Sequence, residues 1–194
     1  MKRLRVAAGF LPVLILMLLF LPGVPAEAAP QAYETTVLFT HDLHSHFFPQ
    51  SDGAGGETGG YARLMTALER ERAARPDALT VDGGDFSIGS LVQTLYTTHA
   101  PELRTMGAMG YDAVTVGNHE FDHEGTGFAQ MLTAALGSGD PVPPIVMANY
   151  NPSAENPDRL DIQRAMATYG VQDSLLLERG GVTYGIFGLM GENS

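Results

Sequence analysis

The sequence predicts an α/β fold with a largely parallel sheet. Short runs of β-branched and apolar residues alternate along the chain with segments of helical periodicity, which favours parallel neighbours over a β-sandwich of hairpins. Polar residues follow directly after each of the first strands. The chain has 194 residues, of which 44% are hydrophobic and 17% charged, which is enough for one domain with a core.

The elements follow from these patterns in chain order. Strands are predicted at residues 35–40, 78–81, 113–116 and 145–148. A helix is predicted after the glycine-rich loop 53–60 and ends near Arg75; a second covers 91–109, with a break near Ala100-Pro101, and a third covers 127–136. Residues 175–178 and 182–189, joined across Gly180-Gly181, predict a β-hairpin.

The N-terminus has the pattern of a secretory signal peptide over residues 1–28. Lys2, Arg3 and Arg5 precede an apolar run, residues 6–21, and Ala26-Glu27-Ala28 provides small residues for cleavage. The alternative is a membrane anchor, but the run contains Pro12 and is shorter than the roughly 20 apolar residues that span a bilayer. We therefore expect a secreted, periplasmic or cell-surface protein without a stable membrane anchor after cleavage, and a domain over residues 33–194.

Charge and cysteine content exclude several classes of function. The chain carries 22 acidic and 11 basic side chains, a formal net charge of -11, which argues against a nucleic-acid polymer as a partner. It contains no cysteine, so disulfides, cysteine-ligated zinc and a thiol nucleophile are excluded. A bound metal would have to be held by nitrogen and oxygen ligands.

Candidate ligands stand at the ends of the predicted strands. They are Asp42 and His44 after the first strand, Asp85 after the second, Asn118 and His119 after the third, and Asn149 after the fourth. Ligands of open α/β sheets bind in the crevice beyond the carboxyl ends of the strands, so one sheet would bring these residues to a single site. Carboxylate and imidazole donors suit Zn, Mn, Fe or Co better than Ca.

Each of these segments also has an ordinary structural interpretation. A histidine-rich turn is commonly a solvated loop, and the Gly83-Gly84-Asp85 segment can be a turn with a capping aspartate, a role that Asp82 could equally fill. Asn118 can begin an Asx-turn beside a surface histidine. The occurrence of all three segments after successive strands favours a common site.

Three segments together resemble a known family. THDLHSH, VDGGDFSIGS and GYDAVTVGNHEFDHE look like the first three blocks of the metallophosphoesterase domain of the 5'-nucleotidase family, within the calcineurin-like superfamily. The resemblance covers nearly the whole chain after the signal peptide. It implies a sandwich of sheets flanked by helices, and a metal-dependent hydrolase of nucleotides or related small phosphate esters.

The resemblance also implies roles for individual residues. Asp42 and His44 would bind the first of two divalent metal ions, Asp85 would bridge both, and Asn118 would bind the second. His119 would be the catalytic histidine, oriented by Asp122. His41 stands where family members commonly have asparagine and is expected to ligate nothing, and Asn149 is expected to be structural or close to the substrate.

The later histidine ligands of the family have no counterpart in this sequence, because no histidine follows His123. We therefore expect the N-terminal part of a metallophosphoesterase domain, incomplete at its C-terminus. Two interpretations stay open: an exported dinuclear phosphoester hydrolase, or an inactive truncated fragment that keeps a partial metal site. A secreted binding domain without metal is a third.

Overall fold

The computed structural model describes residues 32–152 and 157–191, and the predicted signal peptide lies outside them. The strands are β1 (Val37–Thr40), β2 (Gln50–Ser51), β3 (Glu57–Thr58), β4 (Leu79–Asp82), β5 (Ala113–Val114), β6 (Ser174–Arg179) and β7 (Val182–Phe187). The helices are α1 (Tyr61–Ala74), α2 (Tyr96–His99), α3 (Pro101–Ala108), α4 (Glu124–Gly137) and α5 (Pro157–Tyr169). This confirms the mixed α/β fold.

A parallel sheet in the order β1-β4-β5 carries the first three predicted strands. Val37 pairs with Leu79, and Val81 pairs with Ala113. Such parallel pairs need crossover connections, which α1 supplies between β1 and β4, and α2 with α3 between β4 and β5. The carboxyl ends of all three strands therefore lie at one edge of the sheet.

The third and fourth predicted strands are shorter than expected. β5 ends at Val114 rather than at residue 116, because the chain leaves the ladder where Gly117 approaches Gly84: a Cβ on Gly84 would lie 2.4 Å from the Gly117 nitrogen. The predicted strand 145–148 forms only isolated parallel bridges, from Ile145 to Val114 and from Val146 to Gln172. It nevertheless lies beside β5, so its end reaches the same edge.

The second predicted helix is divided into three pieces. A 3₁₀ turn, Leu91–Leu95, leads into α2, and α3 begins after Ala100, whose φ is 44°. Pro101 disfavours the right-handed helical conformation for the residue before it and is itself accepted at a helix start, which explains the break. None of the helices in the described ranges combines the length and the apolar character that crossing a bilayer requires.

The core is formed largely by α3, α4 and the sheet. Leu103 and Met106 on α3 and Phe128, Met131 and Leu132 on α4 are fully buried. α4 is longer than the predicted 127–136 at both ends, and α5, which was not predicted, packs on it through Ile162 and Ala165.

The predicted hairpin is confirmed as the antiparallel pair β6 and β7. Gly180 and Gly181 join the strands with φ of 58° and 75°, the conformation that a two-residue type I′ turn requires of both central residues. β7 ends at Phe187, two residues earlier than predicted, and Gly188 then pairs with the Ile145 segment by accepting the Ala148 N–H at 2.8 Å.

Candidate metal centre at the carboxyl edge of the sheet

The loops after β1 and β4 stay paired beyond the ends of their strands. The backbone N–H of Asp42 donates to the carbonyl of Gly84 at 3.0 Å, and that of His44 donates to the carbonyl of Asp85 at 3.1 Å. This pairing places the predicted ligands Asp42, His44 and Asp85 beside one another at the edge of the sheet.

The backbone at these ligands is in the left-handed region. Asp42, His44 and Asp85 have φ of 52°, 45° and 54°. Residues other than glycine rarely adopt this conformation, which costs on the order of 1–3 kcal/mol each and is concentrated at functional sites. The observation favours a functional role for these turns over that of ordinary surface loops.

The protonation of His44 follows from its hydrogen bonds. Its Nδ1 lies 2.8 Å from the carbonyl oxygen of Ile88 and 3.1 Å from that of Ser87. Carbonyl oxygens only accept, so Nδ1 carries a proton, and in the neutral form of the ring Nε2 presents a lone pair. Metal-binding histidines are held in this way, with one ring nitrogen donating to a carbonyl and the other facing the ion.

His44 Nε2 lies 3.3 Å from Oδ1, a carboxylate oxygen of Asp42. In the tautomer that Ile88 imposes, both facing atoms bear lone pairs, so a cation or a proton is needed between them. An imidazole nitrogen and a carboxylate oxygen are good ligands for a divalent transition metal. The donor set therefore fits the expected metal.

His41 contacts the other side of this pair. Its Nδ1–H donates to Asp42 Oδ2, and this hydrogen bond is the largest cause of a pKa of Asp42 below its ordinary value. From the sequence, His41 is expected to ligate nothing, and only its position next to Asp42 indicates that it could orient that side chain.

The loops after β4 and β5 meet at Asp85. Asp85 Oδ1 accepts the backbone N–H of His119 at 3.0 Å. A Cβ on Gly117 would lie 2.2 Å from that same carboxylate oxygen, so only glycine allows the two loops to approach so closely. Asn118 is exposed and directly precedes His119, the residue whose backbone N–H contacts Asp85.

A hydrogen bond joins His119 to Asp122, the two residues to which the resemblance gives a catalytic role. His119 Nδ1–H donates to Asp122 Oδ2 at 3.2 Å, and this hydrogen bond raises the pKa of His119 above its ordinary value. The ring centroid of His119 lies 5.1 Å from that of His44, with the rings at 71° to one another. The candidate catalytic histidine thus contacts the candidate metal-binding histidine.

Asn149 reaches the chain that follows β7. Its side-chain amide donates to the carbonyl of Met190 at 2.8 Å, and its carbonyl accepts the Met190 N–H at 2.9 Å. Of the two roles expected for Asn149, this bidentate contact favours the structural one, because it attaches the end of the hairpin to the site edge of the sheet.

The candidate site contains one facing pair of side chains, Asp42 and His44. Within residues 32–152 and 157–191, no group of three or more histidine or acidic side chains is arranged to hold one metal ion. The Asp42 and His44 pair, together with Asp85 and the amide of Asn118, is the donor set that the described chain offers at the sheet edge.

The fold and this edge define a class of protein. Residues 35–188 match the calcineurin-like phosphoesterase family, and the chain belongs to that family, whose members use divalent metal ions. It is 32% identical over 165 residues to the probable 5'-nucleotidase of Treponema pallidum, and 37% identical over 128 residues to the 5'-nucleotidase of Mus musculus. These alignments cover 81% and 62% of this chain.

Solved structures agree with the sequence relatives. The 5'-nucleotidase precursor of Thermus thermophilus superimposes on 80% of this chain with a TM-score of 0.64 and 28% sequence identity. The matches cover 25% and 22% of the two sequence relatives and 28% of the solved chain. The chain therefore spans about a quarter of the length of these relatives.

Proposed function

We propose that this chain carries a metal site of an exported phosphoester hydrolase that acts on nucleotides or related small phosphate esters. The observation that carries the proposal is His44, whose Nδ1 proton is directed at a carbonyl so that Nε2 faces Asp42 Oδ1 at 3.3 Å. A loop histidine with no metal function has no need of this arrangement, which here requires left-handed backbone at both residues.

The proposed site binds two divalent ions, from among Zn, Mn, Fe and Co. Asp42 and His44 would hold the first ion, Asp85 would help to hold both, and Asn118 would hold the second. A pair of such ions, when bound, neutralises the charge of a phosphoryl group and lowers the pKa of water that attacks it. The chain contributes the hydrogen bonds that orient Asp42, His44 and Asp85.

His119 is the proposed catalytic residue. Its Nδ1–H donates to Asp122, so its Nε2 is left to face the substrate. With Nδ1 held by Asp122, Nε2 can stabilise charge on the phosphoryl oxygens or, when protonated, give a proton to the leaving oxygen. Asp122 acts by holding the ring.

The substrate class follows from charge and from the relatives. A chain with a formal net charge of -11 repels an anionic ester unless bound cations reverse the local sign. The names of the relatives, which are 5'-nucleotidases, support a nucleotide as the ester. The partner we propose is therefore a small phosphate ester and not a nucleic-acid polymer.

The location we propose is outside the cytoplasm. Residues 1–28 are the signal peptide that directs export, and residues 33–194 belong to the metallophosphoesterase domain. Mass spectrometry of the N-terminus of the exported chain tests this proposal, which expects Ala29 as the first residue. Retention of Met1 would contradict it.

Phosphate release from an aryl phosphate, measured with added Mn²⁺ or Zn²⁺, tests the hydrolase. We expect turnover that a chelator abolishes and that His119→Ala lowers by a factor of 10² or more. His99→Ala is the matched control, because His99 is exposed on α2 and outside the described site. Equal activity of His119→Ala and the wild-type chain would exclude the proposed catalytic role.

A second candidate is metal binding without turnover. It is favoured by the small donor set of the described residues, where no three histidine or acidic side chains share one ion. Equilibrium dialysis against Zn²⁺ distinguishes the two: tight binding with no phosphate release supports this second candidate, and release supports the hydrolase.

A further inference from the structure

A fully buried carboxylate lies directly beneath the candidate site. Glu120, in the 3₁₀ turn His119–Phe121, is 0% exposed, and no described basic side chain is paired with it. Burial of an unpaired carboxylate is costly unless hydrogen bonds replace its hydration. Nothing in the sequence marks Glu120 as buried, because it is a charged residue within a polar segment.

Backbone and hydroxyl donors surround both carboxylate oxygens. Oε2 accepts the N–H of Gly117 at 2.7 Å and that of Asp85 at 3.0 Å. Oε1 accepts the N–H of Ser87 at 3.0 Å and its hydroxyl at 2.9 Å. The Tyr96 hydroxyl donates to the Glu120 carbonyl at 2.7 Å and fixes the main chain at the same residue.

These donors come from two different loops. Asp85 and Ser87 follow β4, whereas Gly117 follows β5 and immediately precedes Asn118. Oε2 of Glu120 therefore joins the backbone of Asp85, the candidate bridging ligand, to the backbone of Gly117, which precedes Asn118. Charge-assisted hydrogen bonds of this kind are about twice as strong as neutral ones.

We infer that Glu120 is a positioning residue that sets the distance between Asp85 and Asn118 before any metal binds. The inference rests on the proposed function, since it assigns those two residues to the ions. Glu120 touches neither substrate nor ion, and acts by holding the two loops in one arrangement. Groups that orient metal ligands in this way typically change metal affinity 10- to 100-fold when they are removed.

Glu120→Gln is the decisive substitution, because it keeps the size of the side chain and replaces one oxygen by an amide NH₂. That group donates, so at least one backbone N–H from Ser87, Asp85 or Gly117 loses its acceptor. We expect faster amide hydrogen exchange at residues 83–90 and 115–122 of the metal-free full chain. We also expect Co²⁺ affinity, followed by the visible absorption of the bound ion, to fall 10- to 100-fold.

Leu132→Ala is the matched control for stability. Leu132 is fully buried on α4 and outside the site, so its truncation destabilises the fold without loosening the two loops. We expect its exchange to rise throughout the core while Co²⁺ affinity stays within twofold of the wild-type value. Ser87→Ala is the milder variant, to be used where Glu120→Gln does not fold, and removes the hydroxyl that contacts Glu120 Oε1 and the His119 carbonyl. It is expected to weaken Co²⁺ binding less than tenfold.

The outcomes separate this inference from the proposed function. Faster loop exchange together with weaker Co²⁺ binding in Glu120→Gln, but not in Leu132→Ala, supports the positioning role. If the wild-type chain binds Co²⁺ but Glu120→Gln leaves either the loop exchange or the Co²⁺ affinity unchanged, the inference is overturned and the proposed metal site is unaffected. Failure of the wild-type chain to bind Co²⁺ refutes the metal site and, with it, the role of Glu120.

Discussion

The carbonyl oxygen of Ile88 lies 2.8 Å from Nδ1 of His44 and fixes the proton on that nitrogen. Ile88 adopts φ of 60°, a conformation that is strongly disfavoured for a β-branched residue. The surrounding loop therefore holds strain at the position that orients the imidazole. Such strain persists only where neighbouring contacts over-determine it, which predicts that small changes in this loop affect His44.

Gly89→Ala tests this sensitivity. Gly89 has φ of 142°, and a Cβ there would lie 2.4 Å from the His44 carbonyl oxygen. We expect a loss of about 2–4 kcal/mol in the free energy of unfolding, measured with urea, and at least tenfold weaker Co²⁺ binding. Gly53→Ala is the control, since Gly53 has φ of 75° with nothing within 4 Å; it should cost only about 1 kcal/mol. Equal effects of the two substitutions would contradict the prediction.

Gly117→Ala tests the contact between the loops after β4 and β5. Its Cβ would meet Asp85 Oδ1 at 2.2 Å, so either Asp85 or the backbone before Asn118 must move. We expect lower stability by about 1–3 kcal/mol and loss of detectable phosphate release. Gly137→Ala, at the end of α4 with nothing within 4 Å, is the same substitution in open space. It should raise stability by about 0.5–1 kcal/mol and leave activity unchanged, as thermal melts and the aryl phosphate assay can show.

The sequence predicts where the candidate ligands lie better than it predicts which residues hold them in place. Asp42, His44 and Asp85 lie together because the carboxyl ends of parallel strands share an edge, a rule that needs only the order of the strands. Glu120 could not be predicted, because its burial depends on the packing of two loops that are distant in sequence. Helix α5 was not predicted because Ile162 and Ala165 are the apolar residues that it buries in the core, too few to give a clear helical period.

Asp82 predicts a pH dependence of stability. It is 4% exposed on β4, and burial raises its pKa from 3.8 to about 6. The folded state therefore binds this proton more tightly than the unfolded state. The resulting stabilisation is complete below about pH 4 and is lost as the pH rises through 6.

Asp82→Asn removes this titration while preserving the shape of the side chain. The asparagine can still accept the Gly84 N–H and can donate to the Thr40 hydroxyl, which the carboxyl group contacts in the native chain. In the wild-type chain, we expect the Asp82 proton to change the free energy of unfolding, measured with urea, by an amount on the order of 2 kcal/mol between pH 4 and 6. Asp82→Asn should lack this change. Asp161→Asn, on the exposed face of α5, is the control and should keep the wild-type profile. An identical profile for Asp82→Asn would show that another group titrates.

Asn149 tests the attachment of the hairpin to the sheet. Its amide imitates a backbone bridge by donating to the Met190 carbonyl and accepting the Met190 N–H, so replacement removes two hydrogen bonds at once. Asn149→Ala should lower the free energy of unfolding by about 1–2 kcal/mol, and Asn149→Asp, which keeps the acceptor and loses the donor, by roughly half as much. Asn151→Ala changes an exposed asparagine two positions away and should have an effect within about 0.5 kcal/mol. The contact joins the chain after β7 to the site edge, so amide exchange at residues 186–191 should rise in Asn149→Ala and not in Asn151→Ala. The same exchange in both variants would mean that β-sheet pairing alone holds the hairpin.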